Sequence, residues 1–161
     1  MNREDDIKIR NAIASEIDEI GEILRASFVT TMAPIVPEAA NIAFNNLREP
    51  ERFTENCWES FQVLVSGNKI KGMLFVVDDT IESLHLDPTQ KRHGYGSRLL
   101  AYGEKSILER GYQLAKLNVL TKNSSAIAFY SAQGWHIDHE FTGLEVGDVP
   151  APMYRMHKDL K

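Results

Sequence analysis

Three features of this chain predict a mixed α/β fold of the α+β kind, with a mostly antiparallel central sheet of about six to seven strands and helices on both faces. An alternating stretch runs directly into a helical repeat at the start; three short apolar runs follow one another across tight turns; and two later helical stretches each lie between apolar runs. With 161 residues the chain has the usual size of one domain, and no repeat, linker or low-complexity tract divides it, so a single domain over 1–161 is expected.

The elements follow in order. Residues 7–13, "IKIRNAI", alternate like a strand, and Ser15 with Asp18 resembles a capped helix start ahead of Ile17, Ile20, Ile23, Leu24 and Phe28 at helical spacing. Pro34 and Pro37 punctuate the next loop, and Pro37 suits the first turn of a short helix reaching about Leu47. Residues 50–58 allow a further helical turn or two. "SFQVLV", "IKGMLFVV" and "TIESLHL", joined by "SGNK" and "DD", read as a three-strand antiparallel meander. Leu99, Leu100, Tyr102, Ile107 and Leu108 mark a helix ending near Gly111. "LAKLNVL" is a strand, 124–132 a helix stopped by Gly134, and residues 135–145 and 153–160 are two closing strands.

Composition excludes several classes. Hydrophobic residues at 43 %, charged residues at 25 % and a net charge of -5 describe an ordinary acidic globular chain and argue against nucleic-acid binding. Cys57 is the single cysteine, so no intrachain disulfide or cysteine-based metal cluster forms, and its simplest role is a small buried hydrophobe. His136, His139 and His157 lack metal-ligand spacing, and Trp58 and Trp135 read as packing residues; no metal is expected. The opening "MNREDDIKIR" lacks a signal-peptide pattern and no run is long enough to span a membrane, so a cytoplasmic protein without membrane contact is expected, as monomer or homodimer.

One stretch needs its own explanation. Between Leu86 and the helix at Leu99 the chain passes "DPTQKRHGYGS", placing Gly94 and Gly96 at a helix start although each weakens a helix by about 1 kcal/mol relative to Ala. A strand, a glycine turn and a helix entry together aim unpaired N–H groups and the positive end of the helix dipole at one spot, which suits a phosphate; Lys91, Arg92 and His93 add basic character there. An ordinary loop with a solvated basic face is the plainer reading. Neither the Walker run nor the dinucleotide fingerprint fits, since Leu99 stands where the latter needs its third glycine.

A second constellation, "NSSAIAFYSAQGW" from Asn123 to Trp135, follows the strand "LAKLNVL". With it the chain resembles the GNAT superfamily of acyl-CoA-dependent N-acetyltransferases. The signature R/Q-x-x-G-x-G/A falls on residues 91–96, and N-x-x-A-x-x-F-Y-x-x-x-G-[FW] is matched at every fixed position by Asn123, Ala126, Phe129, Tyr130, Gly134 and Trp135. The resemblance covers about residues 61–160. Lys91 departs from the usual Arg or Gln, keeping the charge without the planar fork.

The resemblance implies a GNAT-like fold with a splayed cleft between strands 4 and 5, and acetyl-CoA as acyl donor. The N–H groups of His93, Gly94, Tyr95, Gly96 and Ser97 would hold the pyrophosphate, with Lys91 and Arg92 beside them. The backbone of Leu84 to Leu86 would pair with the pantetheine arm, Asn123 would contact the cofactor or brace the site, and Tyr130 would protonate the departing thiolate. Tyr130 read alone is core filler. Glu82 and His85 are the candidates for accepting a proton from the amine; a solvated strand residue and a satisfied half-buried histidine are their plainer readings, and their differing parity places them on opposite faces. The acceptor, a small amine or peptide, would sit among residues 27–46 and the hairpin at 141–152, with Phe28, Met32 and Phe44 as an apolar wall. A non-catalytic acyl-CoA-binding module and an unrelated phosphate-ligand enzyme are the alternatives.

Overall fold

The computed structural model describes residues 6–90 and 93–161. The chain runs through β1 (Lys8–Asn11), α1 (Ile17–Ser27), a π-helical turn (Phe28–Met32), α2 (Glu38–Asn46), α3 (Glu49–Cys57), β2 (Phe61–Ser66), β3 (Lys69–Val77) and β4 (Thr80–Leu86). It continues through α4 (Tyr95–Glu109), β5 (Leu114–Leu120), α5 (Ser124–Ala132), β6 (His136–Val146) and β7 (Val149–Asp159). The strands form one sheet in the order β1-β2-β3-β4-β5-β7-β6, antiparallel at every pair except β4–β5. This is the mixed, mostly antiparallel sheet that the sequence predicts.

Both faces of the sheet are covered. Leu99, Leu100 and Ile107 of α4 pack with Leu74, Val76, Ile81, Leu117 and Met156 into one core. On the other face Ile20, Ile23 and Leu24 of α1 meet Phe61, Val63 and Met73. A smaller cluster of Phe28, Ala40, Phe44 and Val146 seats α2 against the β6–β7 hairpin. Gly147 in that hairpin must be glycine twice over: its φ is 59°, and an added Cβ would lie 2.7 Å from the Cβ of Ala43.

Three local expectations change. Ser15 sits inside a 3-10 turn and Glu16 caps instead, its carboxylate accepting from the Ile13 N–H at 3.0 Å while Arg10 holds it at 2.6 Å. The ambiguous stretch after Asn46 is a full helix, α3, whose Pro50 lies in the first turn where no N–H is needed. β7 starts at Val149, so Pro150 and Pro152 lie within a strand rather than a loop. The carbonyl of Pro152 accepts from Thr121 N–H, so its nitrogen also faces β5; with no N–H it returns no bond to Thr121, and the β5–β7 ladder ends one pair earlier, at Met153.

Candidate active site

The sheet opens between β4 and β5. Their parallel ladder consists of Thr80↔Lys116 and Ile81↔Leu117, reinforced by Lys116 N–H donating to Asp79 O at 2.9 Å. Beyond it the strands part. The cause lies in β4: Ile81 stands opposite Val76 but Ser83 stands opposite Phe75, so Glu82 is an extra residue, a β-bulge that bends the strand. From Ser83 onward alternation fixes which main-chain groups face the gap. Asp87 N–H donates to Lys71 O on β3, hence Ser83 and His85 also bond toward β3, and the N–H and C=O of Leu84 and Leu86 face the space β5 has left.

Two cavities meet there. One, of about 560 Å³, runs between the ends of β4 and β5 beside α4 and α5, touching Leu84, Leu86, Gly96, Asn123, Phe129 and Tyr130. The other, of about 620 Å³, lies on the α1–α3 side and reaches Phe28, Phe44, Glu49 and the hairpin residues Phe141 and Asp148. Met32, Ile81, Glu82, Ser83, His85 and Asn118 belong to both.

The first cavity ends on the glycine turn. Gly94 is the N-cap of α4 with φ 75°, no side chain caps it, and a Cβ built there would meet nothing within 4 Å. Backbone geometry therefore demands glycine while the space beside it stays open. Among the described residues the helical ladder begins with Arg98 N–H to Gly94 O, so the N–H groups of Tyr95, Gly96 and Ser97 precede it at the helix start. Ser97 Oγ also accepts from Gln133 Nε2 at 3.1 Å, which ties α5 to this turn. His93 stacks on Tyr95 at 5.3 Å. Lys91 and Arg92 lie outside the described residues. Backbone donors without a partner among the described residues, open volume and apolar walls suit a phosphate on an extended thiol-bearing arm.

Asn123 braces this side: its Oδ1 caps α5 by accepting from Ala126 N–H at 3.2 Å. Tyr130, about two turns on, lines the cavity with its ring 5.2 Å from Phe129 and 6.1 Å from Trp135. Trp135 is buried, and its indole N–H donates to Glu104 at 2.9 Å; Lys158 binds the same carboxylate at 3.0 and 3.1 Å. That three-way bond fixes α4, β7 and the end of α5 to one another.

Glu82 and His85 do not point away from each other as simple alternation requires. The bulge resets the parity, and both line the same two cavities. His85 Nδ1 lies 3.0 Å from Ser27 Oγ at the end of α1, and burial pushes its pKa down to about 4, so it is neutral at physiological pH. Glu82 is exposed to the cavities. Sequence reasoning missed Asn118 and Glu49, and it gave Ser27 no role beyond lying at the start of the acceptor segment. Asn118 faces the junction and is held by Arg155 Nε at 2.7 Å; a polar residue within the apolar "LAKLNVL" is the signal that marks it. Glu49, reached from α3, accepts from Gly147 N–H at 3.1 Å, and burial raises its pKa. Among the described residues no helix is long and apolar enough to cross a membrane, and no group of three or more His, Cys, Asp or Glu is placed to hold a metal.

A sheet splayed after a bulge, with a glycine-headed helix at the mouth of the gap, is an architecture of the GNAT type. Residues 19–135 match the family model for acetyltransferases of the GNAT family, and the chain belongs to that family. It is similar to the uncharacterized protein YxbD of Bacillus subtilis, 31 % identical over 90 residues that make up 53 % of this chain and 57 % of that protein, a little over half its length. Among solved structures it resembles a GCN5-related N-acetyltransferase from Rhodopseudomonas palustris, with TM-score 0.80 and 17 % identity over 94 % of each chain. It also resembles the PaiA N-acetyltransferase of Thermoplasma acidophilum, solved with coenzyme A, with TM-score 0.76 and 20 % identity over 95 % of this chain and 98 % of that one. YncA of Salmonella typhimurium, a putative acetyltransferase solved with acetyl-CoA, gives TM-score 0.68 and 17 % identity over 96 % and 94 %. At these identities the solved structures speak for the fold.

Proposed function

We propose that this protein is an N-acetyltransferase that moves the acetyl group of acetyl-CoA to a primary amine by direct attack. The observation that carries the reading is the meeting of two cavities at Glu82, Ser83, His85 and Asn118, one ending on a phosphate-type helix start and the other free to receive an acceptor.

The residues divide the work. The N–H groups of Tyr95, Gly96 and Ser97, with those of His93 and Gly94 and the neighbouring Lys91 and Arg92, hold the pyrophosphate. The main-chain groups of Leu84 and Leu86 pair with the pantetheine amides like an added strand. When bound, acetyl-CoA supplies a thioester carbonyl at the point where the cavities meet. The Leu86 N–H is aimed at the gap and stabilises negative charge developing on that oxygen. Glu82 meets the incoming ammonium as counter-ion and accepts its proton, directly or through water. His85 is uncharged at physiological pH and its Nδ1 is engaged by Ser27 Oγ at 3.0 Å, so it offers the ammonium no counter-charge. As a neutral imidazole fixed by Ser27, it orients the amine. Tyr130 gives its proton to the leaving sulfur, and placing the reactants side by side supplies much of the rate.

Two measurements test this. Acetyl-CoA at roughly 100 times its Kd should stabilise the fold by about 2.7 kcal/mol and raise Tm by roughly 5–10 °C, while NAD and ATP leave it unmoved. Incubation with a panel of primary amines should then release free thiol in step with N-acetylated product. An acyl-CoA-binding module without catalysis would show the first effect and no product from any amine; an unrelated phosphate enzyme would show neither.

A further inference from the structure

The second cavity carries chemistry of its own. Its walls are unusually rich in phenylalanine. Phe28 and Phe44 stack with ring centroids 3.5 Å apart and planes 12° from parallel, and Phe75 and Phe141 face the same space. Its ionisable lining is one-sided: among the described lining residues Glu49, Glu82 and Asp148 are carboxylates and Arg52 is the single guanidinium. Arg25 is not a second one. It lies 5.6 Å from the Phe44 centroid but is engaged by Glu51 at 2.8 Å and Asn45 at 2.9 Å. Glu49 does not swing freely, because the hairpin N–H of Gly147 holds it at 3.1 Å.

We propose that the acceptor is an amine carried on an apolar, ring-sized body without a carboxylate, and that Glu49 is the residue that selects against carboxylated amines. The proposal rests on reading this cavity as the acceptor side of the transfer site. Burial already opposes ionisation of Glu49, so a cation in the cavity relieves that cost and a second carboxylate adds to it. A free amino acid would bring such a carboxylate among Glu49, Glu82 and Asp148. An amino sugar needs hydrogen-bond partners for every hydroxyl, which phenylalanine walls do not offer. A linear polyamine would match the carboxylates in charge but has no ring-sized apolar body to fill the space between the phenylalanine walls.

Binding to the protein saturated with CoA, in which no transfer occurs, tests the class by NMR titration. The probes are 2-phenylethylamine, phenylalanine, glucosamine and spermidine. The ring amine should bind at least about 10-fold tighter than each of the others. Glu49→Gln keeps an acceptor for Gly147 N–H and removes the charge, and it should cut the preference for 2-phenylethylamine over phenylalanine by at least about 5-fold. Phe141→Ala also removes packing against Met153 and Ala151 and should lower Tm, but it should weaken 2-phenylethylamine while leaving acetyl-CoA affinity within about 2-fold. Equal or tighter binding of phenylalanine, glucosamine or spermidine, no binding of the ring amine, or an unchanged preference in Glu49→Gln would overturn the proposal. With acetyl-CoA in place of CoA, a ring amine that binds without thiol release from any amine tested would remove the transfer reading and leave only the ligand class of the cavity standing.

Discussion

On the α4 side of the gap the groups that face the cleft are main-chain N–H and C=O, at Leu84, Leu86 and the first turn after Gly94, with small or capping residues keeping them open. On the α1–α3 side they are side chains, drawn from Phe28, Phe44, Glu49, Phe141 and Asp148 in segments a hundred residues apart. The contrast teaches how such a fold divides its labour. A fixed ligand is met by backbone, whose geometry depends on a glycine, a bulge and a cap. A variable one is met by side chains, which change without disturbing the sheet.

The sharpest way to break this division is Gly96→Asp. A Cβ at Gly96 would meet Phe129 at 3.4 Å and Leu86 at 3.5 Å, tolerable contacts, and an acidic residue in the first turn of a helix suits its dipole. The fold should survive. The carboxylate would occupy the place of a phosphate, so acetyl-CoA affinity should fall at least about 100-fold by calorimetry, while 2-phenylethylamine binding on the other side stays within about 2-fold. Equal losses on both sides would mean that the cavities do not work separately.

Tyr130 lies between those extremes, a side chain on the backbone-built side. If it protonates the leaving sulfur, Tyr130→Phe retains the ring packed beside Phe129 and Trp135 and should leave acetyl-CoA affinity and Tm nearly unchanged. Turnover should fall roughly 10- to 100-fold, the lower part of the range for general-acid help, because a thiolate leaves readily. The loss should appear in kcat. A matching loss of acetyl-CoA binding would make Tyr130 a wall of the arm's channel instead.

The same division explains what the sequence discloses. Gly94, Gly96 and the run from Asn123 to Trp135 are legible because main-chain sites need particular residues at fixed spacing, and the structure places Gly96, Asn123 and Tyr130 around one cavity. Phe28, Met32, Phe44 and the hairpin after Phe141 are legible as walls of one pocket, and the structure places them around the second cavity. The parity of Glu82 and His85 was not, because a bulge is one residue of register and leaves no mark in the apolar pattern of "TIESLHL". Nor was Glu49: its place depends on a helix whose sequence, "EPERFTENC", carries mostly polar residues, and on a hairpin contact 98 residues away.

The smallest effect belongs to His85 and is read in stability rather than rate. Its pKa is near 4 in the folded protein, below the ordinary value of 6.5, because the cavity walls bury the ring. As pH falls below 6.5 the unfolded chain takes up a proton here and the folded one does not, so stability drops with acidity until about pH 4, where the folded form also protonates. Between pH 6.5 and 5.5 the loss from this group alone should be about 1 kcal/mol, or roughly 3 °C in Tm. His85→Gln retains a hydrogen-bonding partner for Ser27 and removes the titration, and the other titrating groups are common to both proteins. The difference between their two Tm-against-pH slopes therefore isolates the imidazole. Parallel slopes would show that His85 takes up its proton as readily folded as unfolded, which would restore it beside Glu82 as a candidate base.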